Sequence, residues 1–352
     1  MFITGLGTAV PPRRYSQLEC WEGIQGSPQF GLLKPRSQSI LRKVLQADNG
    51  ISTRHLGVEP LSAAFDLTPD VLHARFVEQA PLLSAQAASK ALQQAGLGAS
   101  DIDGLIISTC TGYLCPGLTS YVSERLGLRR DVFCVDLVGQ GCGAAIPNLR
   151  SAAAMIKGQG ANHVLSVCVE VCSAALYLDD DAGVLISACL FADGAGAAVV
   201  SASPSPGVRK VRITDFGTVL KPALRDELRF EQRNGMLRNI LRPSVPALAA
   251  AAVEEVLNDV LDGSTRTQSD IRAWILHAGG RDVLIALRER LHLTEHAVRH
   301  STAVLRDYGN VSSPCVFFVL DATLKEGAPS GLWWMSSFGA GFSCHGVALE
   351  VE

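Results

Sequence analysis

The chain has 352 residues, 47% hydrophobic and 18% charged, with 31 Lys and Arg against 34 Asp and Glu. That length buries a large core in one big domain or two fused halves. A net charge of −3 lacks the concentrated positive field that a nucleic-acid or membrane-surface binder needs.

At the N-terminus, Pro11, Pro12, Arg13 and Arg14 follow an apolar start, the reverse of the basic-then-apolar order of a targeting signal. The longest apolar stretch, residues 164–178, is interrupted by Glu170 and is too short to span a bilayer. A soluble, cytoplasmic protein is expected. The ten cysteines include no C-x-x-C pair, so neither a zinc site nor a dithiol couple is indicated. Several lie in apolar runs, where cysteine behaves as a small buried hydrophobe.

Strand-like and helix-like segments alternate. Residues 2–10 read as a strand ended by Pro11-Pro12. Residues 84–95 form an alanine-rich helix stopped by Gly96. Residues 103–110 and 132–138 read as buried-type strands, residues 148–157 as a helix ended by Gly158, and residues 163–171 and 195–201 as apolar β-rich runs. Residues 201–207, rich in Pro, Ser and Gly, mark an exposed seam. Beyond it come a strand at 208–213, a long helix at 245–261, a buried strand at 273–276 and an amphipathic helix at 281–291. A helix at 315–325 and a closing strand pair at 332–337 and 346–351 complete the chain. Alternation in two comparable halves predicts an α/β protein with mixed sheets covered by helices.

Three residues carry candidate chemistry. Cys142, in Gly139-Gln-Gly-Cys-Gly-Ala-Ala145, stands where an apolar strand turns through glycines into a helix. Glycines allow a tight turn and close substrate approach, and a helix N-terminus favours the nucleophilic thiolate; a buried structural cysteine fits this motif equally well. His277, in Trp274-Ile-Leu-His-Ala-Gly-Gly280, ends a buried strand on the side where open sheets place ligands. Asn310, in Arg306-Asp-Tyr-Gly-Asn-Val-Ser-Ser313, taken alone reads as a turn and helix cap. A Cys, a His and an Asn in that chain order, each at a glycine-marked strand-to-helix junction, fit acyl transfer with stabilisation of an enolate oxygen. Gly5-Leu-Gly7 lacks the third glycine and following helix of a dinucleotide fingerprint, so nicotinamide binding is rejected.

The segments GQGCGAA, LHAGG, LRDYGNVSS, CLFADGAG and SFGAGFS each resemble, in order and over nearly the whole chain, segments of type III polyketide synthases, the chalcone and stilbene synthase family. The resemblance implies a thiolase fold, layered αβαβα, with two similar halves. Residues 1–204 would carry the cysteine and residues 205–352 the His and Asn. It also implies a homodimer, and an acyl-CoA starter and malonyl-CoA as substrates, with no metal or redox cofactor. By it Cys142 would hold the starter and growing chain as a thioester, and His277 and Asn310 would bind the malonyl thioester carbonyl. Phe191 would be the gatekeeping aromatic between CoA tunnel and cavity. Cys110, Cys115, Ala175 and Ser312 would line the cavity; all are small, so a roomy pocket is expected. Arg36, Arg42, Lys43 and Arg54, with Gly279 and Gly280, would hold CoA, although Asn49 stands where the family has a phosphate-binding lysine.

The chain departs from plant members at Gly143, where they commonly carry Phe, and at Ala340, where they carry Pro. The run Cys172-Ser-Ala-Ala and the block 298–307 resemble bacterial members instead. The competing enzyme reading is a β-ketoacyl synthase III, which usually carries His-Gln-Ala-Asn where this chain has His277-Ala-Gly-Gly280. A non-catalytic partner subunit of the same fold would have lost the nucleophile that this chain keeps.

Overall fold

The computed structural model describes residues 1–207, 209–262 and 265–352. The chain opens with strand β1 (Phe2–Ala9), then a small two-stranded ribbon of β2 (Arg14–Ser16) and β3 (Thr53–His55). Between the ribbon strands lie helices α1 (Gln17–Gln25), α2 (Pro28–Leu32) and α3 (Pro35–Gln46). Helix α4 (Pro69–Ala95) precedes β4 (Gly104–Ser108), α5 (Leu118–Leu126), β5 (Phe133–Leu137) and α6 (Ala145–Gln159). Next come β6 (His163–Glu170), α7 (Ala182–Leu190) and β7 (Gly194–Ser201).

The second half runs through β8 (Val211–Leu220), the hairpin β9 (Leu228–Arg233) and β10 (Met236–Leu241), and α8 (Val245–Asp262). It finishes with β11 (Ile271–Leu276), α9 (Arg281–Arg290), α10 (Arg299–Tyr308), α11 (Cys315–Lys325), β12 (Gly331–Gly339) and β13 (Ser343–Val351).

The strand order β11-β12-β13-β8-β1-β7-β6-β4-β5 shows the internal duplication. Outward from the centre, β1 meets β7 antiparallel, β7 meets β6 antiparallel, and β6 meets β4 parallel. In the other direction β8, β13, β12 and β11 repeat that pattern of two antiparallel pairs and one parallel pair. The two sets join through the short β1–β8 pairing of Phe2 with Arg212 and Ile3 with Val211.

Side-chain alternation then sorts the layers. Leu105 and Ile107 of β4, and Ala195, Ala197 and Val199 of β7, face the cluster built on α4, whereas Ile106, Ala198 and Val200 face the opposite cluster with α6 and α11. Helix α6 touches β4, β6 and β7 on one side and β12 and β13 on the other; α11 likewise touches β1 and β7, and β11 and β12. Helix α4 covers the outer face of the first set and α8 the outer face of the second. The result is αβαβα with two similar halves.

Several expected boundaries shift. The helix expected at 84–95 is only the second half of α4, which begins at Pro69 and carries Pro81 inside it. Helix α6 runs past Gly158 and is capped by Gly160 in the left-handed region, φ +70°, which glycine enters without steric cost. The strand expected at 208–213 starts at Val211, and Val208 lies outside the described residues. The hairpin β9–β10, with its turn at Asn234 and Gly235, both at positive φ, was not anticipated, because its alternation lapses after Glu231 and gives way to pairs in Met236-Leu237, Arg238-Asn239 and Ile240-Leu241.

Gly5 and Gly7 have a packing role. A Cβ on either would stand 2.1 Å from the Ala91 carbonyl oxygen or 2.0 Å from that of Ala87, so α4 can lie against β1 only because these positions are bare.

Candidate active site

Strand β5 delivers the chain to Gly139 (φ +83°) and Gly141 (φ +54°), and Cys142 follows in one turn of 3-10 helix, Gly141–Gly143, that runs into α6. The turn is pressed against the end of the β12–β13 hairpin. The Ser337 hydroxyl donates to the Gly143 carbonyl at 3.0 Å, and a Cβ on Gly339 would fall 2.5 Å from the Gln140 carbonyl oxygen.

Cys142 is buried, and its Sγ lies 3.1 Å from the Ser312 hydroxyl. Burial pushes the thiol up to about 12; the Ser312 hydrogen bond opposes the shift, and the nearby Glu170 carboxyl adds to it. Desolvation of the anion thus opposes the thiolate that the helix N-terminus favours.

His277 follows β11 and is 2% exposed. Its Nδ1 has no hydrogen-bond partner, and its ring meets that of Phe338 edge-on at 5.1 Å between centroids. Burial lowers its pKa to about 4, so the imidazole is neutral at physiological pH and one ring nitrogen keeps a proton to donate. Asn310 is not at a strand-to-helix junction but between α10 and α11, where its backbone bridges to Phe191. Its amide Nδ2 donates to the Gly279 carbonyl at 2.9 Å, and its Oδ1 accepts from the Ser312 backbone N–H at 2.8 Å. Cys142, Ser312, Asn310 and the loop of His277 and Gly279 thus form one connected unit. One of the two amide protons of Asn310 is spoken for and the other is left for a ligand.

Glu170 ends β6 and is fully buried. It accepts from the Cys110 backbone N–H at 3.0 Å, the Thr111 hydroxyl at 2.9 Å and the Ser313 hydroxyl at 2.6 Å, with Ser312 Oγ at 3.5 Å. Burial raises its pKa despite these donors, and the Cys110 thiol is pushed well up by burial and by Glu170. This carboxyl was missed as a site residue. Its signal was present as the one charged group inside the apolar run 164–178.

Two cavities adjoin the site. One of about 610 Å³ is bordered by Cys110, Gly141, Thr111, Phe230 and Met236. A second, of about 60 Å³, is bordered by Phe191, Ala175, Phe65, Thr111 and Phe230. The expected roominess therefore applies beside Cys110 and not beside Ala175, where three phenylalanines fill the space. Phe191 caps the C-terminus of α7 and is not part of a strand. Cys115 is exposed, between β4 and α5, and lines neither cavity. Phe230 and Met236 belong to the unanticipated hairpin.

The proposed CoA contacts separate into two groups. Arg36, Arg42 and Lys43 are exposed on α3, with the Arg42 guanidinium 5.4 Å from the centroid of the Trp21 ring. Arg54 is buried and donates to the Ala188 and Phe191 carbonyls at 2.7 and 3.0 Å. It fastens the end of α7 and is not free to meet a phosphate, a correction to its expected role. Gly279 lies against His277 and Phe338, and Gly280 opens α9.

Residues 18–214 match the family described as FAE1/type III polyketide synthase-like protein, and residues 226–350 match the C-terminal domain of chalcone and stilbene synthases. The chain belongs to the type III polyketide synthase family. Among curated members it is 31% identical over 335 residues to 3,5-dihydroxyphenylacetyl-CoA synthase of Streptomyces toyocaensis, covering 92% of this chain and 83% of that one. It is 30% identical to 1,3,6,8-tetrahydroxynaphthalene synthase of Streptomyces peucetius subsp. caesius, covering 99% and 92%. Among solved structures it is similar to PKS-I of the brown alga Ectocarpus siliculosus, with TM-score 0.89, 26% identity and coverage of 99% and 97%. It is also similar to the C-terminal type III polyketide synthase domain of Steely1 from Dictyostelium, with TM-score 0.91, 25% identity and coverage of 99% and 98%. Type III polyketide synthases are acyltransferases, and this chain has their thiolase fold. Among the described residues no helix is long and apolar enough to cross a membrane.

The neutral His277 makes a signed prediction. Its folded pKa of about 4 lies below the ordinary 6.5, so between these values the unfolded chain binds a proton that the folded chain does not, and stability falls as pH falls. The contribution is complete above pH 6.5 and fades toward pH 4. Replacing His277 with Asn should flatten the decline of Tm over that window, measured by scanning calorimetry at stepped pH. An unchanged slope would mean that His277 titrates normally.

Proposed function

We propose that this type III polyketide synthase extends an acyl-CoA starter, held on Cys142, by iterative decarboxylative Claisen condensation with malonyl-CoA. The observation that carries the reading is the connected unit of Cys142, Ser312, Asn310 and the His277 loop, buried beside a cavity of about 610 Å³.

The Cys142 sulfur attacks the starter thioester carbonyl, and its proton leaves with the departing CoA thiolate. The transient thiolate is met by the Ser312 hydroxyl and the N-terminus of α6. A neutral His277 N–H and the remaining Asn310 amide N–H then donate to the malonyl thioester oxygen. The carboxylate departs as CO2, and the bonding pair becomes the enolate whose charge those donors stabilise. The enolate carbon attacks the Cys142 thioester, giving a β-ketoacyl-CoA and free thiolate. Return of that product to Cys142 starts the next round, and closure of the extended chain gives a resorcinol, phloroglucinol or pyrone. Every electron pair is supplied by the substrates, so the cycle calls for no redox or metal cofactor.

Phe191, Cys110 and Ala175 are assigned to the cavity walls, Ser312, which lines neither cavity, to the contact with Cys142, and Arg36, Arg42 and Lys43 to the CoA phosphates. We place the junction of the halves at residues 204 and 205, and the enzyme in the cytoplasm, a reading supported by its ten unbridged cysteines. A homodimer is supported by strand β5. It forms the sheet edge, and Phe133 (50% exposed) and Val138 (63%) leave an apolar strip there, with Tyr113 (71%) on the neighbouring segment. An exposed apolar edge invites pairing with a second copy.

Introducing charge at that edge with Phe133→Glu should convert a dimer to a monomer in sedimentation velocity; a monomeric native enzyme would exclude the dimer. The reaction is tested by incubating the enzyme with malonyl-CoA and a panel of acyl-CoA starters and reading products by mass spectrometry. Starter plus several acetate units is expected. Cys142→Ala should abolish product, and His277→Ala or Asn310→Ala should each lower turnover by about 10²–10³-fold, the cost of a lost oxyanion donor. A single extension, or turnover only with carrier-bound malonyl, would instead assign a β-ketoacyl synthase III activity.

A further inference from the structure

Behind the nucleophile turn lies a row of polar side chains that border neither of the two cavities described above and that the reaction does not use. Ser337 of β12, His345 of β13 and Thr218 of β8 are direct cross-strand partners, so their side chains share one face of the sheet. Ser337 and His345 are buried. Such a row is costly in a sheet interior unless each member is held.

Each contact points toward Cys142. The Ser337 hydroxyl donates to the Gly143 carbonyl at 3.0 Å. The His345 ring edge abuts Gly143 itself: a Cβ there would stand 3.2 Å from His345 Cδ2, 3.3 Å from Gly339 N and 3.4 Å from the Phe338 carbonyl carbon. Thr218 Oγ1 lies 3.1 Å from His345 Nδ1, and Arg150 Nη1 of α6 donates to the same hydroxyl at 3.5 Å.

A guanidinium only donates, so Thr218 accepts from Arg150, and its second lone pair and its own proton let it pair with His345 Nδ1 in either direction. The other ring nitrogen, Nε2, is buried without a partner. Burial, with Arg150 nearby, lowers the pKa of His345 to about 4, so the ring stays uncharged.

We infer that His345 is a positioning residue for the nucleophile: with Thr218 and Arg150 behind it, its ring forms the floor on which Gly143 rests and sets the position of the Cys142 sulfur. The inference builds on the proposed role of Cys142. It explains why position 143 is glycine in a chain that has histidine at 345, since any side chain at 143 meets the ring. Because His345 touches Gly143 and not the cavities, its removal should change the rate of chemistry at Cys142 and leave substrate affinity alone.

The test compares His345→Ala, His345→Gln, Thr218→Val and Gly143→Ala, alone and with Gly143→Ala combined with His345→Ala. One readout is the second-order rate of Cys142 alkylation by iodoacetamide, followed by peptide mass; the others are kcat and KM for malonyl-CoA, with Tm as a check on folding. His345→Ala should slow alkylation and kcat by about tenfold, within the range a small misplacement of a reacting group costs, with KM within about twofold. His345→Gln, which keeps an amide across the same space, should recover part of the rate. Thr218→Val, a mild change at an exposed position, should slow alkylation in the same direction. The double variant should recover part of the activity lost in Gly143→Ala, because the nearest of the three atoms that oppose the new methyl is gone while the backbone at Gly339 and Phe338 stays.

Unchanged alkylation and kcat in both His345→Ala and Thr218→Val would overturn the inference. So would a double variant no better than Gly143→Ala, or losses that only follow Tm. Loss of product in Cys142→Ala alongside unaffected His345 variants would leave the catalytic reading intact and remove only this one. Full product formation by Cys142→Ala would instead remove the reading on which it builds.

Discussion

The contact on which the rest of the site depends is the 3.1 Å approach of the Ser312 hydroxyl to the Cys142 sulfur. Cys142 arrives from the first half of the chain and Ser312 from the second, 170 residues later. Through the Ser312 backbone the contact continues to Asn310, and through the Asn310 amide to the His277 loop. The duplicated strand pattern gives this meeting a rigid frame. Helices α6 and α11 share the middle layer, and the cysteine turn and the Asn310–Ser312 segment lie at the N-terminal ends of those two helices. A site carried on the buried ends of central helices inherits their stiffness, which acyl transfer needs to hold two thioesters in register.

Burial sets the electrostatics as much as the geometry does. Cys142, His277 and Glu170 are all shielded from water, and all three shift toward their uncharged forms. An enolate formed among such groups has its charge taken up by oriented N–H groups. Burial disfavours the Cys142 thiolate, as it does those of Cys110 and Cys172.

Much of this was legible in the sequence, for identifiable reasons. The apolar strands at β4, β6 and β7 read correctly because a strand buried on both faces is a nearly unbroken run of Val, Ile, Leu and Ala. The turn at Cys142 read correctly because the two positions leading into it, Gly139 and Gly141, sit at positive φ, which glycine adopts without steric cost. The hairpin β9–β10 was not legible, since Arg238, which alternation would count as solvent-facing, is buried against Asp179 and Glu231. Arg54 misled for a similar reason: its sequence neighbours suggest a cationic surface, whereas its carbonyl partners come from 134 and 137 residues away. Glu170 was visible as a charge in an apolar run, but its partners, drawn from two distant segments at 109–111 and 312–313, were not.

The central claim is that the acyl chain is carried on the sulfur of Cys142. Its most direct test is to mix the enzyme with an acyl-CoA starter, without malonyl-CoA, quench in acid, and read the intact and peptide masses. The account predicts an added acyl group, removable by hydroxylamine, on the peptide that contains Cys142. Turnover-competent enzyme that forms no such adduct, or that carries it on another cysteine, would contradict the account.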